Sequence, residues 1–247
     1  MQNNRMQSFD NEFYAPADLF AAAAAADERA SFITKTYLYL FGAVAVIAGI
    51  ETFLFTMFWN PMVALTAVMI RTPFTWLIVI GAFMVVSWIA ETWARSSVSS
   101  AVQHAGLGLY IAGMSIILVP TLCLAQLKTG DTSLILSAGT ATAGLFAMLT
   151  VAVFVTRKDF SFLRSTLVFA SLAAMGLIAT AIFFQFALGP IFMYAMIALA
   201  CGYILYHTSN VLHHYRIGQH VAAALALFAS VAMLFWYILQ LFLSRND

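Results

Sequence analysis

The chain has 247 residues, 63% of them hydrophobic and only 9% charged, with a mean hydropathy of +0.93. Soluble domains carry roughly 45–50% apolar and about 25% charged residues, so charges this sparse exclude a water-covered fold and identify an all-α polytopic membrane protein surrounded by a lipid bilayer. The net charge of +1 says nothing about nucleic acid, and no basic cluster suggests it, so no nucleic-acid partner is expected.

The first thirty residues, "MQNNRMQSFDNEFYAPADLFAAAAAADERA", are polar and acidic before a six-alanine run from Ala21 to Ala26. Asp10, Glu12 and Asp18 precede any apolar stretch, which is the wrong order for a secretory signal. Residues 1–30 are therefore expected to form a partly disordered cytoplasmic tail in which Phe9, Phe13 and Tyr14 are candidate docking residues, and residues 31–247 the membrane domain.

A bilayer crossing needs roughly 20 apolar residues. Seven segments qualify: Ile33–Phe58, Phe74–Thr92, Ala101–Gln126, Thr132–Val155, Phe160–Leu188, Ile191–Val211 and Val221–Leu243. The connections, of which Trp59–Pro73 is the longest, leave no room for a soluble domain. Cys123 and Cys201 fall inside apolar runs and read as small buried hydrophobes, not as a disulfide. With the N-terminus inside, Arg5, Arg29, Lys35, Arg95, Arg157, Lys158, Arg164 and Arg216 lie on the cytoplasmic side and only Arg71, Lys128 and Arg245 outside. Basic residues favour cytoplasmic loops, so the N-terminus is expected inside and the C-terminus outside.

Ionisable residues within spans are rare and default to functional hypotheses. Glu51, in "AGIETFLF", is a candidate pore or proton-path acid that must face protein or a water-filled cavity; hydrogen bonding to a neighbouring helix is the structural alternative. Glu91 and Arg95 have the favourable acid-first spacing of a helical ion pair near one end of the second span. Four of the five histidines lie in "GYILYHTSNVLHHYRIGQH": His207 at the end of an apolar run, and His213, His214 and His220 around the last turn. The latter three are interfacial pH-sensing candidates. Without a cysteine or acid to complete a ligand set, neither a metal site nor any cofactor is expected.

If the last two helices form an antiparallel hairpin, positions equidistant from its turn share a depth. His207 and Ser230 are equidistant from a point beside Gly218, the natural turn residue. At 1.5 Å per residue each lies roughly 16 Å from that turn, near the middle of a hydrocarbon core about 30 Å thick. The pair is expected to face each other, hydrogen-bonded while the imidazole is neutral. H-E-x-x-H, G-x-S-x-G and a phosphate-binding glycine loop are all missing. A Ser–His hydrolase built on these two residues is the one enzymatic alternative, and "LFASVAML" offers no glycine for an oxyanion hole. The chain is read as a non-enzyme.

"FVTRKDFSFLRS" (Phe154–Ser165) serves as a turn in which Arg157 and Lys158 anchor one helix end and Asp159 or Ser161 caps the next. It also closely resembles the signature turn of the Bax inhibitor-1 family, a basic pair followed by D-[LF]-[ST]. "FITKTYLYLFGAVAVIAG", "HAGLGLYIAGMSIILVPTL" and "YILYHTSNVLHHY" with "VAAALALFASVAMLFWYILQLF" resemble that family's first, third and last two helices.

The resemblance implies seven transmembrane helices, the last central in a bundle of six, and a pH-responsive calcium leak. It also implies a gate made of two aspartates, one in Y-D-T and one in L-Y-L-D. The matching positions here are His207, in "YHT", and Ser230, in "LFAS", so both acids are missing. Arg95 matches the basic residue that reaches the acid latch in that family. The expected function is a cation leak, for calcium or protons, with His207 and Ser230 as altered gate and pH sensor and Glu51, Glu91 and Arg95 coupled to pore or gate. Since calcium prefers oxygen ligands, its flux is expected to be weak. The alternative is a non-conducting regulator that binds other membrane proteins, such as a membrane protease. A bacterial cytoplasmic membrane is the expected location.

Overall fold

The computed structural model describes residues 20–96 and 99–245. Among the described residues eight helices follow one another: α1 (Ala26–Met57), α2 (Trp59–Met69), α3 (Pro73–Ala94), α4 (Ser100–Thr129), α5 (Ser133–Thr156), α6 (Leu163–Phe184), α7 (Pro190–His213) and α8 (His220–Arg245). Among the described residues, seven of them are long and apolar enough to cross a membrane, all but α2. These seven coincide with the expected spans.

Helix α2 was expected to be part of a plain connection. "VALTAVM" holds no breaker, and Pro61 stands in the first turn, where its missing N–H has no helical partner to lose. Thr66 and Met69 are buried as α2 packs on α4. Thr72 caps α3 by accepting the Thr75 N–H at 3.1 Å, and Ser99 caps α4 by accepting that of Val102 at 3.2 Å.

Two helices form the core. Within its most apolar window α8 is 72% buried and α4 67%, whereas no other span exceeds 28%. The last helix is central as expected, with α1, α4, α5 and α7 packed on it. Helix α6 packs mainly on α7 and touches α3, so it stands off the core. Its Phe169, Phe183 and Phe184 are largely exposed, as suits a lipid-facing helix.

Close packing of α3 on α4 depends on small residues. Ala90 and Ala94 are fully buried against Gly106, whose absent side chain would meet the Ala90 carbonyl oxygen at 2.6 Å and the Ala94 nitrogen at 2.7 Å. Small residues permit such backbone contact between membrane helices. At the α7–α8 turn Gly218 has φ +99°, a conformation that glycine adopts without penalty.

The end of the bundle where α1 begins is clasped from two directions. Ala21 donates its N–H to the Tyr215 carbonyl at 2.8 Å, and the Phe20 ring lies 5.6 Å from the Arg216 guanidinium carbon. Phe20 thus contacts the α7–α8 turn, and α1 begins at Ala26. The expectations for residues 1–19, including Phe9, Phe13 and Tyr14, lie outside the described residues. On the other side, Ser209 of α7 accepts the Phe160 N–H at 2.9 Å and donates to the Lys158 carbonyl at 3.3 Å, tying the α5–α6 turn to the last hairpin.

Candidate functional site

A cavity of about 1080 Å³ lies between α3, α4, α6, α7 and α8. It exists because α6 stands off α8 and is held by α7 instead. His207 of α7, Ser230 of α8 and Glu91 of α3 all line it, so the structure brings these three candidates to one space. Most of the remaining wall is apolar and rich in methionine.

His207 and Ser230 do not form the expected hydrogen-bonded pair. The Ser230 hydroxyl donates to the Ala226 carbonyl of its own helix at 2.9 Å. A serine in an apolar helix finds that acceptor four residues back without any partner helix. His207 is held by aromatic rings, stacked on Tyr203 at 5.8 Å with 16° between planes and tilted against Tyr206 at 5.0 Å. Its Nδ1 is sealed from solvent and has no hydrogen-bond partner. The pair is one of shared space, not of contact through a hydrogen bond.

Arg95 and Glu91 form the expected ion pair, with a long N–O separation of 3.9 Å and side chains 60% and 50% exposed. Such a pair contributes little to stability, about 0–1 kcal/mol. Both charges therefore stay available, Glu91 in the cavity lining and Arg95 beside it.

Glu51 lies elsewhere. It continues the stripe Phe32, Thr36, Leu40, Ala43 and Ile47 that α1 buries against its neighbours. Its side chain is 9% exposed, and Ser115 of α4 donates to its Oε1 at 2.6 Å, while Oε2 has no partner. The expectation that it faces protein is met. It is not among the cavity-lining residues, so a direct pore role has no geometric support.

The remaining histidines are dispersed. His214 Nε2 lies 2.9 Å from Asp159 Oδ2, across the α5–α6 turn. His213 has a buried, unpartnered Nε2. His220 rests on the Tyr39 ring at 5.1 Å, and Tyr39 in turn shares a 2.7 Å hydrogen bond with His104 Nε2. Among the described residues no group of three His, Cys, Asp or Glu can hold a metal ion. The sequence reading missed His104 and the long-range role of Asp159. Both depend on contacts between helices distant in sequence, which no local signal announces.

Electrostatics follows burial outside the spans. Asp159 loses some hydration, but the Ser161 N–H and His214 outweigh this and hold its carboxyl below the usual carboxylate range. Burial pushes the Tyr215 phenol up to about 12.

The comparisons bear on this geometry. The family described as "Inhibitor of apoptosis-promoting Bax1" matches residues 29–247, all eight helices except the first three residues of α1. The chain belongs to the Bax inhibitor-1 family. It is similar to Bax inhibitor 1 of Schizosaccharomyces pombe, 34% identical over 121 residues that cover 46% of this chain and 44% of that protein. The matched part is thus less than half the relative's length. At the two positions singled out in the last hairpin this chain carries an imidazole, His207, and a hydroxyl, Ser230.

Proposed function

We propose that this protein is a pH-responsive cation leak channel whose gate region is the cavity shared by His207, Ser230 and Glu91. The observation that carries the reading is His207 itself: an ionisable ring, deep in a span, lining that cavity with a buried nitrogen left unpartnered. Such residues mark ion and proton pathways in membrane proteins. Protonation would place a cation between two tyrosine rings, whose faces attract cations, with no carboxylate at position 230 to neutralise it. The ring would then repel further cations or move, and either event changes the passage between α3 and α7. We place the protein in a bacterial cytoplasmic membrane with the N-terminus inside, following the distribution of basic residues. We read it as a non-enzyme, since the Ser230 hydroxyl is engaged by its own helix and not by His207.

Replacement of both gate acids favours a second reading, a non-conducting regulator that binds other membrane proteins. Purified protein in liposomes, loaded in parallel with a proton dye and a calcium dye, separates the two. Proton flux that varies with pH and is altered by His207→Asn supports the channel. Liposomes as tight as protein-free controls to both ions at every pH would leave only the regulator.

A further inference from the structure

The cavity has a second property that ion passage does not use: it is not enclosed, and half-exposed methionines of α3 and α6, Met84 and Met175, belong to its lining. These two helices meet through Phe74 and Phe183, 6.1 Å apart near the end opposite the N-terminus. Toward the middle of the span, Met84 and Met175 on the two rims are 46% and 45% exposed. In a membrane that opening faces acyl chains. Small-molecule pockets measure about 300–1,000 Å³, so a space of about 1080 Å³ is large enough for a chain-bearing ligand.

The wall suits such a ligand. Met84, Met114, Met175, Met193, Met196 and Met233 line the cavity, half of the chain's 12 methionines. Methionine has three rotatable bonds and a polarisable sulfur, and it fits itself to irregular apolar shapes. Glu91 belongs to the cavity lining and Arg95 lies 3.9 Å from it, too far for a tight bond, with both side chains at least half exposed. A guanidinium favours phosphate through paired hydrogen bonds, and a carboxylate favours an ammonium group. A head group that carries both charges matches this arrangement. One with phosphate alone would bring its charge against Glu91.

We propose that this cavity is a binding site for one zwitterionic phospholipid of the leaflet at the N-terminal end of the bundle. Its phosphate sits at Arg95, its ammonium at Glu91, and an acyl chain runs along the methionine wall. This does not rest on the leak reading, since a regulator would hold the same lipid.

Full-length protein, purified and stripped of lipid by detergent exchange, is examined by native mass spectrometry. It is offered phosphatidylethanolamine, phosphatidylglycerol and diacylglycerol with identical acyl chains. One phosphatidylethanolamine is expected to stay bound, about tenfold over the other two. Glu91→Lys is expected to reverse the preference toward phosphatidylglycerol, and Met193→Trp to lower retention of all three by filling the cavity. A phosphatidylethanolamine with a photoreactive acyl chain is expected to label α6 and α7 residues that line the cavity, and circular dichroism checks that the variants fold. Equal retention of the three lipids, no change with Glu91→Lys, or labels spread around the bundle would each overturn the proposal. Flux is never read, so these results and the channel test fail independently.

Discussion

Gly106→Ala adds one carbon where α3 and α4 touch through their backbones. The new Cβ would lie 2.6 Å from the Ala90 carbonyl oxygen and 2.7 Å from the Ala94 nitrogen, against 3.4 Å or more for ordinary contact. Neither atom belongs to a flexible side chain, so the helices must part by about 0.8 Å, the difference between 3.4 and 2.6 Å. Overpacking of this kind costs about 1–3 kcal/mol, while alanine in place of glycine returns up to about 1 kcal/mol of helix propensity. Gly108→Ala provides the control. It lies on the same helix, and a Cβ there meets nothing within 4 Å. Propensity cancels between the two variants, so their difference in stability, measured by unfolding in detergent, is expected to be about 1–3 kcal/mol with Gly106→Ala the weaker. Because α3 carries Glu91 and Arg95, the same change is expected to weaken any pH response of flux. Equal stability for the two variants would refute the claim that backbone contact at Gly106 sets the α3–α4 spacing.

Asp159→Asn is expected to loosen the α5–α6 turn from the last hairpin by about 0.2–1 kcal/mol, the range for half-exposed ion pairs, read as faster hydrogen exchange at Phe160. The Asp159 carboxyl is held below its ordinary value, so its contribution is fully present above about pH 4 and is lost as pH falls through the lower folded value. Exchange at Phe160 that is equally fast in the parent protein and in the Asp159→Asn variant at about pH 6 would contradict this. Calcium flux in liposomes is expected to be weak or absent and to rise when His207→Asp and Ser230→Asp are combined. Strong flux at neutral pH that His207→Asn alone abolishes would sink that expectation. His207→Asn is also expected to flatten the pH profile of proton flux between about pH 5 and 8, where histidines commonly titrate; an unchanged profile would make His207 a packing residue and direct attention to His213, His214 and His220.

The spans were legible because each one repeats the same local requirement, some twenty residues with no unpaired charge, and the bilayer enforces it segment by segment. The hairpin turn was legible as well, since Gly218 marks it, and His207 and Ser230 both line one cavity. Counting could not reveal where their polar atoms point. A serine's bond to the carbonyl four residues back satisfies it within its own helix, and the rings of Tyr203 and Tyr206 claim the imidazole. Glu51 shows the same division. Its burial follows from the cost of a carboxyl in lipid, but its partner Ser115 is 64 residues away, and only the packing of α1 on α4 brings the two together.

That division bears on the ion that the proposed leak would carry. Calcium takes 6–8 oxygen ligands and must shed much of its water to cross a narrow region. The cavity offers it one carboxylate, Glu91, loosely paired with Arg95; the other side-chain oxygens of its lining, on Ser171, Gln185, Ser230, Gln240 and three tyrosines, are uncharged. Glu51, the acid deepest within a span, is closed off in the α1–α4 contact and cannot join that set. A proton needs far less: a chain of hydrogen-bonding groups with one site that can take it up and release it. His207 is such a site, and its unpartnered Nδ1 leaves a position that water or a neighbouring hydroxyl can fill when the helices shift. For the leak proposed above, the absence of carboxylates at positions 207 and 230 therefore weighs against calcium much more than against protons, and it makes the His207 imidazole the first group to test for a response to pH.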